Sequence, residues 1–157
     1  GPIYFEVVAN KQPVQVPFDK MLLTHPSLEE GVAKAKIRIE SGDFDGAITT
    51  CYTIIEQFLK LSLRKRDVTF KETEGDIKKL YKLYAASTSL EVGAETEASL
   101  RPLLSGLSGL VTGFYEIANK AGDRHVSIYK PASRHAVLVV NLTFAFCEYL
   151  VDSSQKK

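Results

Sequence analysis

The chain has 157 residues, of which 45% are apolar and 25% are charged, and its 20 Lys and Arg residues nearly cancel its 19 Asp and Glu residues. This length and composition indicate one soluble globular domain and exclude a disordered chain. A net charge of +1 excludes binding to nucleic acid through overall charge alone, although a local basic site remains open.

Residues 1–26 are predicted to form an irregular N-terminal arm, because Pro13, Pro17 and Pro26 interrupt its short apolar runs. The Gly1-Pro2 start is typical of the scar that a tag-cleaving protease leaves, so we expect an excised fragment. The chain begins with no charged-then-apolar signal sequence, and we therefore expect a cytoplasmic protein.

Five helices are predicted from apolar residues that recur every three or four positions and from capping signals. In chain order, the first helix is predicted from residue 27 to about 41, and the second starts between 43 and 45 and ends in the basic cluster 64–66. The third runs from 73 to about 86, the fourth from about 95 to 119 and the fifth from about 132 to 153. Ser27 and Glu30 form a capping-box pattern at the first start, and Ser41-Gly42-Asp43 predicts a tight break. The basic residues 64–66 complement the dipole at the end of the second helix.

The fourth predicted helix contains Gly106, Gly109 and Gly113, each of which costs about 1 kcal/mol relative to alanine. Glycines at that cost suggest the close approach of another helix, either within the chain or across a dimer. The fifth helix holds the most apolar stretch, residues 136–151. At 16 residues it is short for a membrane span and is interpreted as a core helix, and no membrane partner is expected.

Cys51 and Cys147 are too few for a disulfide scaffold and are predicted to be buried free thiols. The predicted fold class is all-α: an up-and-down bundle of about five helices with an irregular N-terminal arm. We place the domain at residues 27–153 and a frayed tail at residues 154–157.

The polar loop before the last helix is the candidate functional region, because His125 and His135 lie in it or beside it. Residues 118–135 carry four cations and one anion: Lys120, Arg124, Lys130, Arg134 and Asp123. A histidine can transfer protons near neutral pH and neighbouring cations can stabilise a phosphate, which favours phosphodiester chemistry or RNA binding. A solvated loop with a surface histidine is the alternative. No close pairing of ligands predicts a metal site, and no nucleotide-binding motif predicts a cofactor.

The segment LLSGLSGLVTGFYEIANKAGDRH followed by SRHAVLVVN resembles the abortive-infection C-terminal (Abi-C) domain of the HEPN superfamily. That family has a leucine- and glycine-rich helix, then Arg-Asn-Lys-x-Gly-Asp-x-His, then Arg-His-Ala-x-x-x-Val-Asn at the start of the last helix. AKIRIESGDFDGAITTCYTIIEQFLK is similar to the family's paired N-terminal helices, where Glu56 would face the active loop.

The resemblance implies a dimeric, metal-independent ribonuclease with a composite active site at the dimer interface. It implies that His125 is the catalytic histidine and that Asn119 orients it. Lys120, Gly122 and Asp123 match the loop between them. Three further positions match the second half of the motif, with a structural or RNA-contacting role: Arg134, His135 and Asn141. Arg124 and Lys130 join Lys120 and Arg134 as candidate phosphate-binding residues.

Ala118 stands where the family has its phosphate-binding arginine, and alanine cannot hold a phosphate. Three interpretations remain open. The chain is an engineered inactive form of a toxic nuclease, or it is a natural non-catalytic member that binds RNA or a partner, or Arg124 supplies the missing charge.

The function that the resemblance implies is that of a metal-independent endoribonuclease domain in a prokaryotic antiphage or toxin–antitoxin system, here in an inactive form. The alternative is a non-catalytic helical module that binds RNA or protein, or dimerises, and regulates a larger defence protein. RNA, a second copy of the chain and an antitoxin or other defence protein are the expected partners.

Overall fold

The computed structural model describes residues 21–88, 106, 109–114, 116 and 130–155. Helix is the regular secondary structure found in these residues, which contain no strand, so the predicted all-α fold class is confirmed. Four helices have complete bounds: α1 (His25–Glu40), α2 (Phe44–Lys65), α3 (Ile77–Thr88) and α4 (Ser133–Ser154). Residues 106, 109–114 and 116 are also helical and belong to the predicted fourth helix, whose remainder lies outside the described residues.

Helix α1 begins two residues before its predicted start, so the assignment of its cap to Ser27 is wrong. The side chain of Thr24 accepts the backbone N–H of Ser27 at 3.3 Å and is the true N-cap. The Ser27 hydroxyl instead accepts the backbone N–H of Leu22 at 3.0 Å. Pro26 fits in the first turn, where its missing N–H would have no partner within the helix.

The turn between α1 and α2 is tight, and the Asp43 side chain bonds to both helices. Gly42 has φ +82°, a left-handed conformation that glycine adopts without a steric penalty. Asp43 caps α2 by accepting the N–H of Gly46 at 2.9 Å, and its second oxygen lies 2.8 Å from Nη1 of Arg38. One aspartate thus joins the end of α1 to the start of α2, as the predicted break at 41–43 requires.

Helix α3 begins four residues after its predicted start at residue 73, because the chain before it is held as a turn. The hydroxyl of Tyr52 on α2 donates to the carbonyl of Gly75 and lies 3.4 Å from the backbone N of Ile77. Asp76 then accepts the N–H of Lys78 at 2.9 Å and so caps the first turn of α3. The correct start therefore depends on a tertiary contact with α2.

Contacts between helix ends show in which direction each helix runs relative to the others. His25 at the start of α1 lies 2.8 Å from Asp152 near the end of α4, so these two helices are antiparallel. The guanidinium of Arg66, just after α2, lies over the ring of Tyr84 near the end of α3. Helices α2, α3 and α4 therefore end at the same end of the bundle. The connector 66–76 returns along α2, so α2 and α3 are parallel and this pair departs from the predicted up-and-down order.

The core consists of the facing apolar stripes of the helices. Among its largest fully buried side chains are Phe58 of α2 and Phe146 of α4, and Val111 and Phe114 of the helical residues 109–114 also join the core cluster. The three glycines of the fourth predicted helix do not serve intrachain packing among the described residues. No described atom lies within 4 Å of a Cβ built at Gly106, Gly109 or Gly113, and contact across a dimer stays a prediction.

Within the described part of the chain, α4 is the one helix long and apolar enough to cross a membrane. Of its most apolar 18-residue window, 44% is buried inside the fold, and α4 packs against α1 and α2. This packing agrees with its interpretation as a core helix.

The two cysteines are buried free thiols, as predicted. Burial raises the pKa of the Cys51 thiol from its ordinary value of 9.0 to about 11. Burial also raises the pKa of Cys147 well above 9.0. Neither thiol is therefore ionised at neutral pH, and both fill space as small apolar groups.

Raising the pH from 9 towards 11 is expected to destabilise the fold, because Cys51 loses its proton in the unfolded chain but keeps it in the folded chain. The stabilisation is complete below pH 9 and is lost as the pH rises towards the folded pKa. Two pKa units correspond to about 2.7 kcal/mol. Urea unfolding of the chain and of Cys51→Ala between pH 8 and 10.5 measures the difference. We expect Cys51→Ala to have a lower free energy of unfolding at every pH and a free energy of unfolding that changes less with pH. Parallel curves of this free energy against pH for the two proteins would contradict the raised pKa of Cys51.

Candidate active site

Six of the predicted site residues lie outside the described residues. They are Ala118, Asn119, Lys120, Asp123, Arg124 and His125. Their predicted roles therefore stay predictions. Five others are described: Glu56, Lys130, Arg134, His135 and Asn141. Three of these five, Lys130, Arg134 and His135, lie at the start of α4 or in the residues that lead into it, and Asn141 lies further along α4.

His135 closes the first turn of α4. Its Nδ1 accepts the backbone N–H of Ala132 at 3.0 Å, while its own backbone N–H donates to the carbonyl of Ala132 at 3.0 Å. A histidine at N3 here replaces the glutamate or glutamine of a usual capping box. Because Nδ1 accepts this bond, it carries no proton in this arrangement. The geometry favours the structural alternative for His135, and contact with RNA stays a prediction.

Lys130 and Arg134 make the entrance to α4 positively charged. Both residues are exposed, and the first turn of α4 contains no acidic residue. The N-terminus of a helix carries a partial positive charge that adds to these two cations. A phosphate that binds at this end would therefore meet two exposed cations and a favourable helix dipole.

Asn141 lies two turns further along the same face of α4 as Arg134. It is exposed and lines a cavity of about 190 Å³ between α4 and the end of α1, to which Ile39 and Glu40 also contribute. Val137 of the same cavity is 42% exposed and Leu138 beside it 56% exposed. The candidate site thus borders an apolar surface.

Glu56 faces a different neighbourhood among the described residues. Its Oε2 lies 3.1 Å from Nζ of Lys60, and the side chain of Glu56 is 21% exposed while that of Lys60 is 6% exposed. Nζ of Lys60 also donates to the carbonyl of Glu72 at 2.7 Å. Glu56 therefore neutralises a buried lysine beside the connector, and its predicted orientation towards the active loop stays a prediction.

Sequence reasoning did not single out Lys60, although an i,i+4 spacing of glutamate and lysine is a recognisable signal. Its burial depends on the connector folding back over α2, which no local pattern reveals. Within the described ranges, no group of three or more His, Cys, Asp or Glu side chains could hold a metal ion. Because His125 lies outside those ranges, the expectation of a metal-free site stays a prediction.

Comparison with known proteins places this helical domain in a family. The sequence pattern of the Abi_C family, described as a HEPN-like domain, matches residues 27–154. The chain belongs to this family of HEPN-like domains. No match was found among curated proteins or among solved structures.

Proposed function

We propose that the chain is a HEPN-type, metal-independent endoribonuclease domain of a prokaryotic abortive-infection or toxin–antitoxin system, in a form that Ala118 makes inactive. The observation that carries this proposal is the family match over residues 27–154, which contain the loop with His125. The exposed cations Lys130 and Arg134 at the entrance to α4 support it, because an RNA substrate is a polyanion.

The proposed reaction needs no bound cofactor. The 2′-hydroxyl of the RNA attacks the adjacent phosphate, and His125 transfers protons at the reacting oxygens. Asn119 holds the histidine in position. An arginine at position 118 would bind the phosphate and stabilise the charge that develops on it. The second copy of the chain would contribute the same residues to a composite site.

Replacing Ala118 by arginine is the direct test. We expect Ala118→Arg to raise RNA cleavage by about 10²–10³-fold, the usual value of one preorganised donor at a reacting group. Cleavage of a labelled RNA in vitro and growth of cells that express each form are the measurements. We expect the variant to cleave RNA and to stop growth, while the chain with Ala118 does neither.

The other two interpretations of position 118 predict different results. If Arg124 supplies the missing charge, the chain with Ala118 already cleaves RNA, and Arg124→Gln abolishes that activity. If the chain is a natural non-catalytic member, neither form cleaves RNA. The proposal of an inactivated nuclease is wrong if the Ala118→Arg variant does not cleave RNA while the chain with Ala118 does.

A non-catalytic binding or dimerisation module is the second candidate. The substitution at position 118 favours it, and so do the exposed apolar side chains of Ile37, Val137 and Leu138. The mass of the chain in solution, together with the distance between the two His125 side chains, separates the candidates. Convergence of the two loops on one basic groove favours the nuclease, while a monomer favours the module. In either case we propose a cytoplasmic protein that an antitoxin or another defence protein restrains.

A further inference from the structure

Helix α4 has an apolar face that is largely exposed in the described part of the chain. Of its most apolar 18-residue window, 44% is buried inside the fold. Val137 and Leu138 are 42% and 56% exposed, and Asn141 lies one turn after them on the same side of the helix. Exposed apolar surface of this kind marks a site that a partner covers.

A cavity of about 190 Å³ lies beside this face, between α4 and the last turn of α1. Ile39, Val137 and Val140 supply its apolar lining. Pockets that bind small molecules usually have volumes of about 300 Å³ or more. The smaller cavity here suits one large apolar side chain of a protein partner, such as leucine or phenylalanine.

The two helices on either side of the cavity form a groove. Helices α1 and α4 are antiparallel, so the end of α1 lies beside the start of α4. A partner helix that binds in such a groove inserts apolar residues spaced three or four positions apart. One of these residues would fill the cavity, and the next would cover Leu138. We call the cavity together with Leu138 the α1–α4 groove.

The end of the α1–α4 groove at the start of α4 is positively charged. Lys36 lines the cavity, Arg134 lies one turn before Leu138 on the same side of α4, and Lys130 leads into that helix. Glu40 is the one carboxylate among the residues that line the cavity. In the described part of the chain, none of the three cations is in an ion pair. The carboxylates of a partner would therefore find available cations here.

The charges and the cavity together indicate which partner fits. A second copy of the chain that docked through the same end would bring cations against cations, which repel. An RNA strand would pair with the cations, but it has no aliphatic side chain to fill the cavity. We propose that the α1–α4 groove binds an amphipathic helix of a different protein, with leucine or phenylalanine on its apolar side and Asp or Glu beside them.

Such a helix would cover Arg134 and Asn141, two residues of the candidate active site. Its carboxylates would compete with the phosphates of RNA for the same cations, so the partner would restrain RNA binding at the entrance to α4. This restraint rests on the proposed nuclease function, whereas the binding of the helix does not.

Binding of a designed peptide to the full chain with Ala118 tests the groove without any need for cleavage. The probe is a short fluorescent helical peptide with leucine at every third or fourth position and glutamate beside the leucines, followed by anisotropy. In the control peptide, lysine replaces each glutamate. We expect the glutamate peptide to bind about tenfold more tightly than the lysine peptide.

Matched variants locate the binding surface. Leu138→Ser removes an exposed leucine of the groove and should weaken binding of the glutamate peptide about tenfold. Leu22→Ser removes a leucine that is 64% exposed but lies before α1, outside the groove, and should leave the affinity within about twofold. Arg134→Gln should weaken binding and lower its salt dependence, whereas Lys71→Gln, an exposed position on the connector, should change neither.

Three results would overturn the groove as a site for this helix: equal affinities in Leu138→Ser and Leu22→Ser, no binding of either peptide, or equal binding of both peptides. A change in the mass of the chain in solution on Leu138→Ser would assign the face to a second copy instead. An oligouridylate that binds and loses affinity equally in Leu138→Ser would assign it to RNA. Binding that follows our expectations upholds the groove even if Ala118→Arg does not cleave RNA. If that variant does cleave RNA, cleavage that saturating glutamate peptide leaves unchanged would overturn the restraint.

Discussion

Replacing Glu56 by alanine is expected to destabilise the fold by about 3–5 kcal/mol, because it leaves the ammonium of Lys60 buried without a carboxylate. Only 6% of the Lys60 side chain is exposed, and Oε2 of Glu56 at 3.1 Å supplies the only carboxylate in an ion pair with it among the described residues. The bond from Nζ to the carbonyl of Glu72 at 2.7 Å remains, but a carbonyl dipole does not neutralise a full charge. Equilibrium unfolding in urea measures the loss.

Two matched variants distinguish the destabilising effect of a buried, unpaired charge from that of lost packing. The double variant Glu56→Gln/Lys60→Met removes both charges and keeps similar volumes, so it should recover most of the stability that Glu56→Ala loses. Glu72→Gln removes the partner of an exposed arginine, Arg64, and should have a much smaller effect. Similar losses for Glu56→Ala and Glu72→Gln would show that burial of Lys60 does not control the result.

The exposed pair also has a predicted pH dependence. The hydrogen bond from Arg64 holds the pKa of Glu72 below its ordinary value. The contribution of a carboxylate with a lowered pKa is present above its unfolded pKa and is lost as the pH falls through the folded pKa. Because Glu72 lies in water, that contribution is strongly screened.

The sequence predicts best those parts of the fold that depend on local signals. The start of α2 at Asp43 and the span of α4 are correct within about one residue, since a capping side chain and a regular apolar period mark them. The start of α1 is wrong because Thr24 and Ser27 are both good caps, and the local sequence does not rank them. The choice between them depends on the Ser27 hydroxyl, which the backbone of Leu22 engages.

Other features depend on contacts between distant segments and could not be read from local pattern. The turn before α3 is fixed by Tyr52, more than 20 residues away in the chain. The basic residues Lys65 and Arg66 also line a cavity at the end of the bundle. The sequence did not indicate this cavity, because their stabilising effect on the helix dipole already explains two cations at that position. His135 is a local case instead, since the bond that its Nδ1 accepts comes from Ala132, three residues earlier, and this bond agrees with the structural role that its motif position allowed.

The two ends of the bundle thus have different relations to the proposed RNA chemistry. The entrance to α4 combines exposed cations with a helix N-terminus, and in the sequence it follows the segment that contains His125. At the far end, where α2, α3 and α4 finish, the cations Lys65 and Arg66 lie beside the partial negative charge of helix C-termini. A site that must promote a reaction needs a proton donor and acceptor, and His125 is the candidate for this role in the proposed mechanism.

In the Ala118→Arg chain, replacing His125 by alanine is expected to lower RNA cleavage by about 10²–10⁴-fold, because the reaction loses its general acid–base group. Folding should be little affected, which thermal unfolding checks. His25→Ala is the matched control, since it also removes one histidine but at the opposite end of α4, where His25 pairs with Asp152. Cleavage by that control should equal cleavage by Ala118→Arg alone.

Removal of divalent cations provides the second half of this test. If His125 transfers the protons and an arginine at position 118 binds the phosphate, no step needs a metal ion, and EDTA should leave the cleavage rate unchanged. The products should then end in a 2′,3′-cyclic phosphate, since the adjacent 2′-hydroxyl is the nucleophile. A strict requirement for Mg²⁺, or full activity without His125, would show that cleavage proceeds by another mechanism.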